Sequence, residues 1–261
     1  MNSRKLTGDL RALRPYLVVI RAGRQSLHTI WMDPQSPRSW DLLIDYYEKL
    51  DSDHDDLADF INEGGITKFS SMHALDRTTP DFLRSYRAIC FLDDDIEIAF
   101  QDIDRMFTIF SSFGLWLAQP SLTADSFYTY PMTVNCDCFV MRYTNFVEIM
   151  APIMSQETFV KLVGTFNESI SGYGLDDVWP KILGYPRDRI AILDAVTARH
   201  TKKIDHKEGA FYRFLRSMEV DPFAEMKNMA MKYDITAEES NVRSYSVVPR
   251  FSAASKTAAA R

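Results

Sequence analysis

The chain has 261 residues, of which 46% are hydrophobic and 25% are charged, and its formal net charge is −6. These values exclude a collagen-like chain, a disordered polymer and a disulfide-rich miniprotein. The negative charge also argues against nucleic acid as a partner, because affinity for a phosphate backbone depends on clustered lysine and arginine.

The three cysteines, Cys90, Cys136 and Cys138, are too few for a disulfide framework and favour reduced thiols in the cytoplasm. The sequence has no apolar run of the roughly 18 residues that a membrane-spanning helix needs. We therefore expect a cytoplasmic protein without a transmembrane segment. Peripheral contact with a membrane stays open.

Strand-like and helix-like segments alternate through the first half of the chain. β-Branched and apolar runs predict strands at residues 16–20, 66–69, 87–92, 115–118, 138–142 and 190–193. Apolar residues at helical spacing predict helices at residues 40–47, 102–113, 146–153, 157–167, 208–218 and 223–231, with two more that start at Thr79 and Leu175.

This alternation predicts an α/β fold with a mostly parallel sheet flanked by helices on both faces. We assign residues 15–205 to one domain, residues 206–240 to a helical C-terminal extension and residues 241–261 to a disordered tail.

Three carboxylates, Asp93, Asp94 and Asp95, follow the strand predicted at residues 87–92, at the end where ligands bind in parallel sheets. Alternate residues of an extended chain point the same way, so Asp93 and Asp95 can share one cation while Asp94 points away. Carboxylate oxygens suit Mg²⁺ and Mn²⁺, which commonly bind substrate phosphates as well. The pattern favours a metal and diphosphate site over the alternative, an acidic turn that caps the next helix.

Two glycines flank an aromatic residue in Gly172-Tyr173-Gly174, and Asp176 and Asp177 follow in the first turn of a predicted helix. Glycine lets the backbone approach a ligand closely. A carboxylate at this position is either a favourable helix-start charge or a general base. We expect an active-site loop in which one of the two acids is the base.

His200 follows the last strand predicted in the domain and is succeeded by cationic residues that include Lys202. A single histidine is more often structural, but this position makes His200 a candidate third metal ligand or diphosphate contact. Arg21 and Arg24 follow the first predicted strand, where their guanidinium groups either bind phosphate or base edges or stay solvated. The candidate donor-binding residues are Asp93, Asp94, Arg21, Arg24 and Lys202, and the candidate metal ligands are Asp95, Asp93 and His200.

The order of these motifs resembles the GT-A class of metal-dependent glycosyltransferases, which use nucleotide sugars. The resemblance rests on Asp93-Asp94-Asp95 and on the later His200. It implies a GT-A-like, Rossmann-like sheet and a Mn²⁺ or Mg²⁺ cofactor held by Asp95 and His200. Asp93 would touch the cation through water or contact the donor ribose.

The stretch from Gly172 to Asp177 is similar to a motif of inverting galactosyltransferases, in which an acid deprotonates the acceptor hydroxyl. This resemblance implies Asp177 or Asp176 as the catalytic base. Tyr173 stands where that motif usually has tryptophan, a difference that affects stacking on the acceptor.

Residues 15–202 also resemble a more specific, uncharacterised family of bacterial and plant domains of unknown function. The matching stretches include Tyr16-Leu-Val-Val-Ile-Arg-Ala-Gly23, Ser26-Leu-His28, Trp40-Asp41 and Phe146-Val-Glu-Ile-Met-Ala-Pro152. This family supplies no substrate, so the expected activity comes from the wider class.

The expected activity is transfer of a sugar from a nucleoside-diphosphate sugar donor to a hydroxyl of a glycan or glycolipid acceptor, with inversion. One alternative is a sugar-nucleotide-binding protein without catalysis. Another is a metal-dependent phosphatase of the haloacid-dehalogenase type, although Glu97 stands where that class usually has threonine or valine.

Overall fold

The computed structural model describes residues 6–10, 13–33, 35–47, 57–63 and 65–250. Within these ranges the strands are β1 (Tyr16–Ala22), β2 (Trp40–Tyr46), β3 (Phe60–Glu63), β4 (Ala88–Leu92), β5 (Ile96–Glu97), β6 (Leu117–Leu122), β7 (Phe139–Thr144), β8 (Ile153–Ser155), β9 (Ile190–His200) and β10 (Ser244–Pro249). The α-helices are α1 (Lys68–Thr78), α2 (Pro80–Arg84), α3 (Phe100–Ser112), α4 (Gln156–Leu162), α5 (Leu175–Ile182), α6 (Ala210–Ser217) and α7 (Pro222–Lys232).

The strands form a sheet in the order β3-β2-β1-β4-β8-β6-β9-β7-β10, and β5 pairs with the end of β9. Strands β1 to β4 run parallel to one another, as do β6 and β9. The short strand β8 lies antiparallel between β4 and β6. This mixed sheet confirms the predicted α/β class and brings the ends of β1, β4 and β9 to one side of the molecule.

Both faces of the sheet are covered. Val18 and Ile20 of β1 belong to an apolar cluster that includes Phe107 of α3. The alternate residues, Leu17 and Val19, belong to a second cluster on the opposite face, which includes helices α1, α4 and α5. Burial of both faces explains why β1 is a continuous apolar run.

The helix predicted at residues 40–47 is wrong, because Trp40–Tyr46 is strand β2, with all seven residues buried. A strand buried on both faces has no alternation of polar and apolar residues, so its pattern is ambiguous. Its two aspartates, Asp41 and Asp45, are buried and form ion pairs and hydrogen bonds with side chains of other segments. Asp41 accepts hydrogen bonds from the Arg14 guanidinium at 2.6 Å and the Tyr86 hydroxyl at 3.0 Å.

The strand predicted at residues 66–69 is also wrong, because helix α1 begins at Lys68. Thr67 precedes the helix, and its main-chain N–H donates to the Ser70 hydroxyl at 3.0 Å. This bond belongs to a capping box between Thr67 and Ser70, two residues three positions apart. A capping box indicates the start of a helix and outweighs the strand pattern of residues 66–69.

The helix predicted at residues 146–153 does not form, and the chain there is irregular before β8. Pro152 interrupts the segment, and the residue before a proline disfavours helical geometry. Main-chain groups of this segment bond the neighbouring strand instead, since Phe91 N–H donates to the Pro152 carbonyl at 2.9 Å. The remaining predicted helices and strands occur with shifted ends.

The C-terminal part of the chain departs from the expected disordered tail. Ser244–Pro249 forms β10, which pairs antiparallel with β7 at the edge of the sheet. Residues 251–261 of the predicted tail lie outside the described residues. In the described ranges, no helix is long and apolar enough to cross a bilayer.

Candidate active site

The pairing of β5 with β9 brings His200 to the carboxylates that follow β4. Ile96 lies opposite His200 in this antiparallel pair. The Asp95 carbonyl accepts from the main-chain N–H of Thr201 at 3.0 Å and from its hydroxyl at 2.9 Å. As a result, His200 Nε2 lies 3.4 Å from Asp95 Oδ2, although the two residues are more than one hundred positions apart in the chain.

The His200 ring is oriented by the main chain. Its Nδ1 lies 2.5 Å from the carbonyl oxygen of Phe127, which fixes the proton on Nδ1 and turns Nε2 toward Asp95. Burial opposes the charged imidazole, but the hydrogen bond and the charge of Asp95 outweigh it and raise the pKa of His200 to about 9.

The Asp95 and His200 pair fits a divalent cation. A lone pair on Nε2 facing a carboxylate oxygen at 3.4 Å requires a positive charge between them, either a second proton or a metal ion. One carboxylate oxygen and one imidazole nitrogen are a suitable donor set for Mn²⁺, with substrate phosphates as further ligands. Among the described residues, no three His, Cys, Asp or Glu side chains form a complete metal site.

Asp93, the third predicted metal ligand, is bound by a lysine that the sequence did not single out. Lys68 Nζ lies 2.6 Å from Asp93 Oδ1 and donates to the Ile149 carbonyl at 2.7 Å. The Lys68 side chain is 9% exposed. Nothing in the pattern around Lys68 distinguishes it from a surface lysine, and only the folded chain identifies its role.

Asp94 forms an ion pair with Lys202. Lys202 Nζ is 3.3 Å from Asp94 Oδ1, and the Tyr47 hydroxyl donates to Asp94 Oδ2 at 2.9 Å. The exposed ammonium of Lys202 therefore lies beside Asp94.

The two arginines after β1 differ in their surroundings. The Arg21 guanidinium pairs with buried Asp45 and donates to the Gly65 carbonyl at 2.6 Å. These contacts use its donors to join β1, β2 and the segment before α1, so a phosphate would have to compete with Asp45. Arg24 is exposed in the turn that follows the strand.

The loop from Gly172 to Asp177, which we call the acceptor loop after the role expected from its sequence, enters α5 through two glycines with positive φ angles. Gly174 has φ of +84°, and a Cβ there would lie 2.9 Å from Met229 Cβ and 3.1 Å from Met226 Cα. The glycine therefore allows both the turn and the close approach of α7.

Three glycine-to-alanine variants separate these two requirements. Gly164→Ala adds a methyl group that meets nothing within 4 Å and should change the free energy of unfolding by less than about 0.5 kcal/mol. Gly184→Ala meets nothing either but has φ of +77°, and should cost about 1 to 2 kcal/mol. Gly174→Ala combines strain with overlap and should cost roughly 2 to 5 kcal/mol in urea unfolding. Equal losses at Gly174 and Gly184 would contradict the packing of α7 on the loop.

The two acids of the loop differ in burial and in proton affinity. Asp176 is 8% exposed, and burial, followed by the charges of Asp177 and Glu148, raises its pKa well above the usual value. Asp177 is partly exposed, and burial raises its pKa to about 6. At neutral pH, Asp177 is therefore mainly ionised and able to accept a proton, whereas burial favours the protonated form of Asp176.

Glu148 is a further acid of the site that the sequence analysis left without a role. Its side-chain Oε2 is buried and has no hydrogen-bond partner among the described residues. Burial, with a smaller contribution from Asp93, raises its pKa to about 7, although the charge of His200 acts in the opposite direction. The sequence signal for a role of Glu148 was its position within the apolar run Phe146–Pro152. Acidic residues are seldom buried without a structural or functional reason.

The pKa of Glu148 predicts a pH-dependent stability. A folded-state pKa of about 7, above the ordinary value of 4.5, makes its stabilising contribution complete below pH 4.5 and lost as the pH rises to 7. In the presence of chelator, we expect the unfolding free energy of the wild type, relative to Glu148→Gln, to fall by about 3 kcal/mol over this window. A difference that does not change with pH would contradict this prediction.

Lys68 and Ile149 connect the turn formed by Asp93, Asp94 and Asp95 with the acceptor loop. Lys68 bonds both Asp93 and the Ile149 carbonyl, and the Ile149 side chain lies 3.1 Å from where a Cβ of Gly172 would be. The charge of Glu148 raises the pKa of Asp176. The charge of Asp93 raises the pKa of Glu148, and that of His200 lowers it. The two motifs predicted from sequence therefore belong to one site.

The C-terminal helices support the acceptor loop. Glu225 of α7 accepts from the main-chain N–H groups of Ile170 and Ser171, each at 2.8 Å. The hydroxyls of Tyr173 and Tyr212 of α6 lie 2.6 Å apart. The extension is thus part of the site's scaffold, a role that its sequence did not reveal.

Comparison with known proteins finds solved structures that have a similar fold. No family model and no curated protein matches the sequence. Among solved structures, GalNAc-T7 with UDP, GalNAc and Mn²⁺ is similar with a TM-score of 0.52 and 10% identity, over 85% of this chain and 55% of that chain. S. aureus TarS 1-349 is also similar, with a TM-score of 0.49 and 10% identity, over 86% of this chain and 76% of that chain.

The chain thus spans about half the length of GalNAc-T7. At this identity the similarity concerns the fold alone. The sheet order described above, together with this similarity, shows that the protein has the fold of GT-A glycosyltransferases.

Proposed function

We propose that the protein is a metal-dependent glycosyltransferase that moves a sugar from a nucleoside-diphosphate sugar to a hydroxyl of a glycan or glycolipid, with inversion. The observation that carries this proposal is the placement of His200 Nε2 at 3.4 Å from Asp95 Oδ2, at the strand ends of a GT-A sheet. A protein of the same fold has been solved with UDP and Mn²⁺, which supports the same donor and cofactor classes.

Asp95 and His200 would hold Mn²⁺ or Mg²⁺, and Asp93 would contact the cation through water or bind the donor ribose. The bound cation would supply Lewis-acid stabilisation of the negative charge that develops on the departing nucleoside diphosphate. Lys68 keeps Asp93 in place through its 2.6 Å contact. Lys202, paired with Asp94, adds a positive charge that can reach a diphosphate.

Asp177 would accept the proton of the acceptor hydroxyl as that oxygen attacks the anomeric carbon. A pKa of about 6 suits this role, because the group is ionised at neutral pH and yet basic enough to take a proton. Asp176, whose burial favours the protonated form, would donate a hydrogen bond to the acceptor or stabilise the start of α5. Attack from the side opposite the leaving group gives inversion.

The direct test is binding of nucleoside diphosphates. Thermal unfolding is measured with UDP, GDP and dTDP, each with Mn²⁺ and with chelator, because a ligand of the native state raises the apparent stability. We expect at least one nucleotide to stabilise the protein only when Mn²⁺ or Mg²⁺ is present, and the corresponding sugar nucleotide to be turned over. Stabilisation without turnover of any sugar nucleotide would favour the non-catalytic binding protein.

A further inference from the structure

Two cysteine sulfurs lie in contact at the turn before β7. Cys136 Sγ is 3.0 Å from Cys138 Sγ, and both residues are free thiols. A disulfide joins its sulfurs at about 2.05 Å, so a movement of about 1 Å would close this pair. Cys138 is exposed and Cys136 is partly exposed, so a reagent in solution can reach them. The third cysteine, Cys90, is fully buried in β4.

A turn of the main chain produces this contact. In an extended strand, α-carbons two positions apart are separated by about 6.6 Å, which is near the upper limit for a disulfide. At this point the chain does not continue as a strand, because the main-chain N–H of Phe139 donates to the Cys136 carbonyl at 3.1 Å. A turn closed by such a bond brings residues two positions apart closer together than a strand does.

Hydrogen bonds to other segments hold both cysteines by their main chain. The Cys136 N–H donates to Asp194 Oδ1 at 2.9 Å. Asp194 is fully buried in β9, and its Oδ2 accepts from Arg142 Nε at 2.8 Å, so this anchor is itself fixed. The Cys138 carbonyl accepts from the main-chain N–H of Arg250, the residue after β10, at 2.9 Å. The fold therefore keeps the two sulfurs close before any bond forms between them.

We propose that Cys136 and Cys138 are a redox-active pair that exchanges reversibly with small disulfides such as oxidised glutathione. One cysteine thiolate attacks a sulfur of the glutathione disulfide and releases one glutathione, and the other then attacks the mixed disulfide and releases the second. The two cysteines lose two electrons and two protons, which the glutathione disulfide takes up to become two thiols. Exposed disulfides are typically labile, and transient ones occur in compartments where thiols are otherwise reduced.

The test is equilibration of the full chain, folded or in urea, with mixtures of reduced and oxidised glutathione and chelator. Exchange needs a thiolate, and contact with Cys136 raises the pKa of Cys138, so the buffer is at about pH 8.5. After acid quenching and alkylation, mass spectrometry follows the tryptic peptide of residues 106–142, which contains both cysteines, whereas Cys90 lies in the peptide of residues 88–105. The equilibrium constant for disulfide formation should be at least about tenfold larger in the folded chain than in urea, because the fold holds the sulfurs together.

Two controls accompany this measurement. Cys138→Ser should carry one glutathione on Cys136, because the second sulfur that would release it is missing, and thermal unfolding verifies that this variant is folded. Cys90 should remain a free thiol in the folded wild type, because it is fully buried. An equilibrium constant that is no larger in the folded chain than in urea, a wild type that retains glutathione, or oxidation to disulfide-linked dimers would overturn the proposal. No sugar nucleotide is present, so the outcome is independent of the transferase proposal.

Discussion

Replacement of Asp177 by asparagine is expected to lower kcat for sugar transfer by about 10²- to 10⁴-fold while nucleotide binding is largely retained. The reason lies in the difference between the two adjacent acids. Asp177 is partly exposed and has a pKa of about 6, so it can take a proton at neutral pH. Asparagine has nearly the same shape and keeps a hydrogen-bonding oxygen, but it cannot act as the base.

Asp176→Asn is the matched variant. Asp176 is buried and its pKa lies well above its usual value, so its surroundings disfavour the ionised form that a general base requires. We expect a much smaller effect on kcat than at Asp177. Both variants are compared in transfer rate on the same donor and acceptor and in affinity for the nucleoside diphosphate. A slow Asp176 variant beside a normal Asp177 variant would reverse the assignment, and two near-normal rates would remove both acids from the chemistry.

The parts of the fold that sequence predicts well are those whose pattern has one interpretation. The continuous apolar strands β1 and β4, the helix that begins at Pro80 and the strongly amphipathic α3 occur where expected. The prediction misses strand β2, because a strand that is buried on both faces lacks the alternation of polar and apolar residues that indicates a strand. The two aspartates of β2 form ion pairs with Arg14 and Arg21, which come from other parts of the chain, and only the folded structure shows these pairs.

The same division holds for the candidate site. Asp93, Asp95 and His200 could be selected because strand ends in a parallel sheet converge, whatever the details of packing. Lys68 could not be selected, because its ammonium reaches Asp93 from the first turn of a helix that sequence interpreted as a strand. The support of the acceptor loop by Glu225 was hidden for a similar reason, since more than fifty residues separate it from Ile170.

Asp95→Ala is expected to abolish most of the metal-dependent binding of nucleoside diphosphate. The variant removes the carboxylate that faces His200 Nε2 at 3.4 Å, and with it one of the two proposed protein ligands. Loss of outer partners of metal ligands already costs about 10- to 100-fold in affinity, so loss of a ligand should cost at least about tenfold in Mn²⁺ affinity. His200→Ala should have a comparable effect, because it removes the other proposed ligand of the pair.

Glu97→Ala is the control for a general loss of charge near the turn. Glu97 lies two residues beyond Asp95, and its 49% exposed side chain pairs with Arg199 at 3.2 Å. Calorimetric titration of each protein with UDP, in Mn²⁺ and in chelator, measures the effect, and circular dichroism verifies folding. We expect binding by Glu97→Ala to match the wild type and to disappear in chelator. If Asp95→Ala binds UDP as tightly as the wild type, or if chelator leaves wild-type binding unchanged, Asp95 and His200 do not hold a metal. Their contact would then be an ion pair that joins β9 to the turn after β4.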